Sequence, residues 1–517
     1  MSSTISKLDI TMPIIPNEIF TITDYGAVGD GVVDNTESIA QTINACKNAG
    51  GGKVIIPAGV WLTGPIQLIS HLNLHIEAGA ILLFKKDFNS YPLILSSFEG
   101  EETVRCQSPI DGEYIHDIAI TGKGVIDGSG GAWRPVKKFK MTDVQWRKLI
   151  ESGGIVDEES EIWWPSTQAL EGQSLIQELQ NSGSKRINDY KPIRDYLRPN
   201  LVSLRNCESI LIDGPTFQHS PAWCLHPWIC EHITIKNITV RNPWYSQNGD
   251  GLDIESCRYG LVENCVFDVG DDAICIKSGK DEAGRELGKI CRDILIRGCQ
   301  VYSGHGGFVI GSEMSGGVKN ITVRDCSFFG TDVGLRFKSK RGRGGVVENI
   351  SIENIRMTNI SGEAIVFHMY YEHEGDEESF KEDKVSIETP VFRDIAMKNI
   401  TCMGAQQAIV LKGLPELPLA NLLFEDVSIV SKFGVFGSEC EDVQFTNITL
   451  NVEEGALFNL INIVNANLSN LQSKSKSNKD IHVKVSGEKT KNVRCLLQNK
   501  EKVVQISEEV DQTQVIF

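Results

Sequence analysis

From about residue 200 onward, one ten-residue pattern of apolar and polar positions keeps returning. It occupies 208–217, 231–240, 258–267, 292–301, 319–328, 348–357, 393–402 and 441–450, with an earlier copy at 116–122. Each copy is a short alternation, one polar or glycine position, then a second apolar alternation. The interrupting position is Gly214, Asn237, Asn264, Gly298, Asp325, Asn354, Asn399, Asp426 and Asn447, and most steps are 21 to 34 residues. Alternation of period two predicts strands, and helix-length apolar periodicity is missing here. Short strands returning at that interval predict a solenoid, a right-handed single-stranded parallel β-helix in the all-β class. One coil cannot bury its apolar face alone, whereas stacked coils bury one continuous core.

The repeat also assigns the cysteines. Cys265, Cys299 and Cys326 share one slot that other copies fill with Ile or Val, which predicts a ladder of core side chains. Residues 36–48 place Ile39, Ile43 and Cys46 on one helical face, with Asn35 or Thr36 as N-cap and glycines 50–52 closing. Such an amphipathic helix is expected to cover the first coil, whose strand edges would otherwise be open. Residues 129–200, with Trp133, Trp146, Trp163 and Trp164, break the pattern and read as an insertion. The last 65 residues regain alternation without the repeat. One domain over 1–517 is expected: cap and first coils at 20–128, insertion at 129–200, chemistry-bearing coils at 201–450, and C-terminal coils with an end cap at 451–517.

Charge narrows the partners. Fifty-one Lys+Arg against 68 Asp+Glu give a net charge of −17. That balance argues against nucleic acid and predicts long-range repulsion of a polyanion. No apolar run approaches the eighteen or so residues of a membrane span. Residues 1–7 lack a basic n-region and an apolar h-region, so no secretory signal is visible. The expected location is extracytoplasmic, secreted or periplasmic, if a leader was removed from this form, and cytoplasmic otherwise. Fourteen Cys without CxxC spacing indicate neither a zinc site nor a disulfide scaffold.

Four short segments on successive copies carry the chemistry. Asn248-Gly249-Asp250-Gly251 is followed by Gly270-Asp271-Asp272, then Gly304-His305-Gly306, then Arg336-Phe337-Lys338. Singly, each reads as a tight turn, a solvated corner or a surface strand. Jointly, in phase with the coil step, they would lie on adjacent rungs about 4.8 Å apart. Three carboxylates, an imidazole and two cations at one edge then make a candidate active site.

These segments, with Ser220-Pro-Ala-Trp223, the continuation through Lys277 to Gly279, and Tyr25-Gly-Ala-Val-Gly-Asp-Gly31, resemble the polygalacturonase family, glycoside hydrolase family 28. The resemblance covers roughly residues 20 to 450, interrupted by the insertion, and 306–317 is similar to bacterial exo-acting members. It implies hydrolysis of α-linked galacturonate with inversion, on a pectic oligo- or polysaccharide. Two differences stand out. The family's Asn-Thr-Asp is Asn248-Gly249-Asp250, which bears on subsite detail, and its Arg-Ile-Lys is Arg336-Phe337-Lys338.

The resemblance makes Asp271 the general acid, with its proton retained through repulsion by Asp250 and Asp272. Asp250 and Asp272 share the task of activating water, and His305 hydrogen-bonds this cluster. Arg336 and Lys338 suit a substrate carboxylate, since Arg pairs with carboxylates bidentately. They open a stretch of five cations in eight residues, 336–343, and Lys277 and Lys280 are expected to project nearby. Asn248, Lys277 and Tyr371 complete the substrate-binding set, Tyr371 through its resemblance to a family tyrosine near the leaving group. Trp223, Trp228 and Trp244 are expected in core or loop packing, with sugar stacking as the alternative. No cofactor or metal is implied, and no oligomeric state.

The leading expectation is an exo-acting galacturonidase releasing single units from the non-reducing end, with 129–200 or 277–289 walling the cleft. Rhamnogalacturonan hydrolysis is the close rival. A calcium-dependent pectate-lyase-like eliminase and a non-catalytic carbohydrate-binding β-helix are the alternatives from other classes.

Overall fold

In a computed structural model of the chain, all nine interrupting positions of the repeat adopt left-handed backbone, with φ from 53° at Asn399 to 100° at Gly214. Gly, Asn and Asp are the residues that tolerate this conformation, so the polar slot is a corner that turns the strand. The structure describes residues 8–372, 381–473, 482–496 and 503–516. The N-terminal 1–7, where a leader was sought, lies outside them.

The chain divides into two compact units, Asp9–Ile274 and Cys275–Phe517. In the first, parallel register stacks Val54, Leu74, Ile120, Ile212, Ile235 and Val262 in one buried row. In the second, Ile296, Val323, Ile352, Met397, Phe424, Phe445, Leu468 and Cys495 form an equivalent row. Fully burying each such side chain contributes roughly 1.5–3 kcal/mol. Both units are parallel β-helix, right-handed as parallel crossovers almost always are.

Corner side chains reinforce the stack. Asn354 Nδ2 donates to Asp325 at 2.9 Å, Asn399 to Asn354 at 2.7 Å and Asn447 to Asp426 at 2.9 Å. A second ladder runs at the second position of the later copies, where Asn320 donates to Asp293 at 2.9 Å, and it continues as Asn465 donates to Asp442 at 3.0 Å. The repeat does not stop near 450. Asn470 donates to Asn447 at 2.7 Å and Asn492 to Asn465 at 3.0 Å, so the last coils obey the same corner rule.

All fourteen cysteines are buried. Cys326 sits in the row continued by Ile355, Ile400, Val427 and Ile448. The cap helix Thr36–Asn48 buries Ile39, Ile43 and Cys46 as its periodicity requires. Its N-cap residue is Asn35, but the side chain makes no capping bond. Instead it accepts from Val28 N–H at 2.7 Å and donates to the Val33 carbonyl at 2.9 Å, while Asp34 accepts from Thr36 N–H at 3.0 Å.

Two excursions leave the first unit's solenoid. The 129–200 segment holds helices Asp143–Glu151 and Thr167–Asn181. An earlier excursion was not read from sequence: Leu93–Phe98 and Glu101–Cys106 pair antiparallel as a hairpin. Tyr91, Leu93, Val104 and Cys106 from this region share an apolar cluster with Trp133, Tyr190, Ile193 and Leu197 of the insertion. No helix among the described residues is long and apolar enough to cross a membrane.

Candidate active site

Parallel pairing in the first unit brings the aspartates together. Cys224 N–H donates to the Asp250 carbonyl at 3.0 Å, and Gly251 N–H to the Asp272 carbonyl at 2.9 Å, so consecutive coils place 250 beside 272. Carboxylate oxygens of Asp250, Asp271 and Asp272 all lie within 4.8 Å of one another. Asp250 and Asp272 are buried, 3 % and 1 % exposed, whereas Asp271 is half-buried. Asp272 N–H donates to Asp271 Oδ1 at 3.0 Å, which fixes the orientation of that more accessible carboxyl.

The glycines of these turns have a steric reason. A Cβ on Gly249 would stand 2.0 Å from Ser246 Oγ, and one on Gly270 2.4 Å from the same hydroxyl. Ser246 is fully buried and its hydroxyl donates to the Pro243 carbonyl at 2.6 Å, so it has nowhere to move. The family's threonine at position 249 is therefore excluded here by a local serine.

Sequence reasoning missed two arginines. Arg198, at the end of the insertion, donates from Nη2 to Asn248 Oδ1 at 2.8 Å. Its Nη1 reaches the carbonyls of Gln247 at 2.9 Å and Pro221 at 3.2 Å. Burial lowers the affinity of this guanidinium for its proton, while Tyr196, Glu99, Asp250 and Asp271 act in the opposite sense. The Arg105 side chain donates to the Arg198 carbonyl, and burial pushes it down to about 10, with Arg198 adding repulsion. The Arg105 guanidinium lies 3.8 Å above the Phe98 ring, and Phe98 stacks on buried Trp223 with centroids 4.9 Å apart. The hairpin and the end of the insertion thus close on the aspartate-bearing coils. Of the three tryptophans expected in packing, Trp223 is buried, Trp228 half-buried and Trp244 exposed.

The second unit carries the cations. Along the strand Val333–Lys338, Phe337 points inward and stacks on Phe367 at 4.2 Å between centroids. Arg336 and Lys338 therefore share the opposite face, at 5.7 and 5.0 Å from the Tyr371 ring centroid. With Glu363, His368 and Glu372 these three line a cavity of about 330 Å³. His305 Nε2 lies 3.9 Å from Asp332 Oδ2.

The expectation of five cooperating cations is corrected. Lys340 pairs with Glu372, Arg341 with Glu416 and buried Arg343 with Asp281. Nor does Lys277 project. It is buried and donates to Glu313 Oε2 at 2.9 Å. Burial alone would raise the Glu313 carboxyl, but Lys277 and Lys338 beside it hold it well below the usual carboxylate range. A depressed carboxyl contributes stability above its unfolded-state value that disappears as pH falls through the folded one. Glu313→Gln, which strands the buried Lys277 charge, should cost about 3 kcal/mol at neutral pH. Urea titrations at pH 7 and at successively lower pH should show the gap to the wild type narrowing below the usual carboxylate range.

Among the described residues, two groups have donor sets for a cation: the three aspartates, and His71, His116 and Asp117. In the latter Asp117 Oδ1 already accepts from Ile14 N–H at 2.7 Å and His71 Nδ1 faces the Ile14 carbonyl at 3.0 Å, which makes it an anchor for the N-terminal segment. At the aspartates, calcium would want six to eight oxygen ligands, and the adjacent Arg198 charge opposes a divalent ion.

The chain is similar to known proteins. The chain is 29% identical over 436 residues to a probable polygalacturonase of Vitis vinifera, covering 82% of this chain and 77% of that one. It is 26% identical over 469 residues to the exo-poly-alpha-D-galacturonosidase of Dickeya chrysanthemi, covering 88% and 74%. Among solved structures, a hyperthermoactive exopolygalacturonase from Thermotoga maritima is 32% identical, with a TM-score of 0.67 over 86% of this chain and 93% of that one. A family 28 exopolygalacturonase of Yersinia enterocolitica shares the fold at 22% identity and a TM-score of 0.69, over 87% and 78%. The model of glycosyl hydrolases family 28 matches residues 179–454, the span that holds all three aspartates, and the chain is a glycoside hydrolase belonging to that family.

Proposed function

We propose that the enzyme releases single galacturonate units from the non-reducing end of pectic chains, with inversion. The observation that carries this is the three-aspartate cluster, in which two carboxyls are buried and Asp271 alone is half-open. An acid that protonates a leaving oxygen must face the substrate, whereas carboxylates that hold a water can lie deeper. Asp271 is the acid, and Asp250 with Asp272 activates water. Arg336 and Lys338 bind a galacturonate carboxylate, with Tyr371 beside them. Lys277 supports that binding through Glu313, and Asn248 and His305 keep the roles that the resemblance gives them. The exo mode draws on the hairpin and Arg198, which wall the aspartate-bearing coils, and on the exo-acting relatives. A pectic polymer as substrate supports an extracytoplasmic location if a leader was removed from this form, with the cytoplasm as the alternative.

One observation favours retention instead. Carboxylate oxygens within 4.8 Å are closer than the roughly 6.5–9.5 Å usual for inverting pairs. Inversion is preferred because the two deeper carboxylates are too buried to attack an anomeric carbon themselves. Proton NMR of trigalacturonate hydrolysis distinguishes these at once. The β-anomer of galacturonate appearing first, as monomer only, is the expected result. The α-anomer would establish retention, and a ladder of oligomers from polygalacturonate would exclude exo action.

A further inference from the structure

Arg134, near the start of the insertion, is 2 % exposed, yet no carboxylate among the described residues pairs with it. Its Nη1 donates to the Ser220 carbonyl at 2.8 Å, while its Nε is buried without a protein acceptor. Burial pushes the guanidinium down to about 10, opposed by Tyr245 and Asp127. A charge left buried and uncompensated is costly, so an unpaired guanidinium beside an opening marks a place for an anion.

The opening is present. Arg134 lines a cavity of about 620 Å³ in the first unit, between the insertion and the corners that follow the strands Val125–Asp127, Thr216–Gln218 and Thr239–Arg241. Exposed Lys86 adds a second cation. The one carboxylate in the lining, Asp127, is already engaged. It accepts from Ser129 N–H at 2.8 Å and Gln218 Nε2 at 2.8 Å, and it pairs with His219 Nδ1 at 2.9 Å. The lining thus carries more positive than negative charge within an acidic protein. Phe88, Trp163 and Tyr245 supply aromatic wall, which suits the C–H face of a sugar ring and is superfluous for a small inorganic ion. None of the three aspartates lines this cavity, nor does Arg336 or Lys338.

We propose that this cavity is a second binding site, separate from the catalytic carboxyls, for a free sugar acid, with galacturonate as its ligand. The choice of galacturonate rests on the glycosidase reading above, which makes it the product. Its carboxylate meets Arg134 and Lys86, its ring lies against the aromatic wall, and its hydroxyls face Asp127 and His219.

Equilibrium dialysis of labelled galacturonate against the full chain tests the assignment. The wild type should bind two equivalents, one at Arg336 and one in the cavity. Gly131→Phe should lose the second and keep the first. Gly131 is an exposed residue of the lining, and a Cβ there meets no atom within 4 Å, so the ring fills the cavity without strain. An unchanged melting temperature checks the fold. Lys86→Glu should weaken the second equivalent about tenfold and spare turnover. Arg336→Gln should lose the first equivalent alone. Galactose, without a carboxylate, should not compete at the cavity, and acetate should compete about tenfold more weakly than galacturonate. A second equivalent that is missing in the wild type, or that survives Gly131→Phe, overturns the site and leaves the glycosidase reading intact. Acetate or inorganic phosphate competing as well as galacturonate overturns the sugar-acid assignment. If trigalacturonate is not hydrolysed, the glycosidase reading falls, and the Gly131→Phe comparison still decides the cavity.

Discussion

Asp271→Asn should lower turnover of polygalacturonate by at least about 100-fold, the lower end of what a positioned general acid supplies. The substitution is nearly isosteric and keeps an oxygen able to accept the Asp272 N–H, now bonded at 3.0 Å. Folding should therefore survive, with an unchanged melting temperature and circular dichroism spectrum. What disappears is the proton for the departing sugar oxygen. An amide cannot deliver it, and the two buried aspartates face a different task. The damage belongs in kcat, since the ground-state grip of Arg336 and Lys338 on substrate is untouched. Residual activity above about one percent would remove Asp271 from the acid role. A loss confined to KM would make it a binding residue.

The fold was legible because its corners are chemically conspicuous. Asn237, Asn354, Asn399 and Asn447 punctuate apolar alternation at a regular step, and each proves to be a left-handed corner. The second ladder was equally present at Asn320, Asp394 and Asp442, but those residues stand second in their copies, after Lys, Arg or Glu, and read as ordinary surface. The Leu93–Cys106 region is apolar enough at Leu93–Leu95 to read as a coil strand, and its antiparallel pairing is what distinguishes it. Local alternation carries no information about the direction of the partner.

The site was legible where it followed the repeat and obscure where it did not. Asp250 and Asp271 are one coil step apart, so stacking alone unites them. The cations illustrate the opposite case. Lys340, Arg341 and Arg343 form a basic run in sequence, yet their partners Glu372, Glu416 and Asp281 come from distant segments. A charge run is a statement about the chain, whereas the field at a site depends on which charges the fold neutralises. Glu313 shows the same point from the other side: nothing in a Ser-Glu-Met-Ser run announces the carboxylate that holds Lys277 and faces Lys338.

Arg198→Ala is the second large effect expected, and it separates positioning from bulk charge. Arg198 reaches the carbonyls of Pro221 and Gln247 and the side chain of Asn248, so one guanidinium ties the insertion to two successive turns of the aspartate-bearing coils. Hydrogen bonds from a charged donor contribute about 1.5–3 kcal/mol each. Losing the one that orients Asn248 should lower kcat/KM by roughly 10- to 100-fold at the wild-type optimum. Electrostatics adds a direction. Attraction between Arg198 and the carboxylates Asp250 and Asp271 is mutual, so removing the cation makes both hold their protons to higher pH. The acidic limb of the kcat/KM profile, set by ionisation of the water-activating Asp250, then moves up. The alkaline limb, set by loss of the Asp271 proton, moves up with it, so the whole bell shifts toward higher pH. Arg198→Lys keeps the charge without the planar fork, so it should restore the wild-type profile position while leaving the rate depressed. A profile that merely shrinks without moving would assign Arg198 to geometry alone. Activity within twofold of the wild type in Arg198→Ala would show that the end of the insertion is a wall and nothing more.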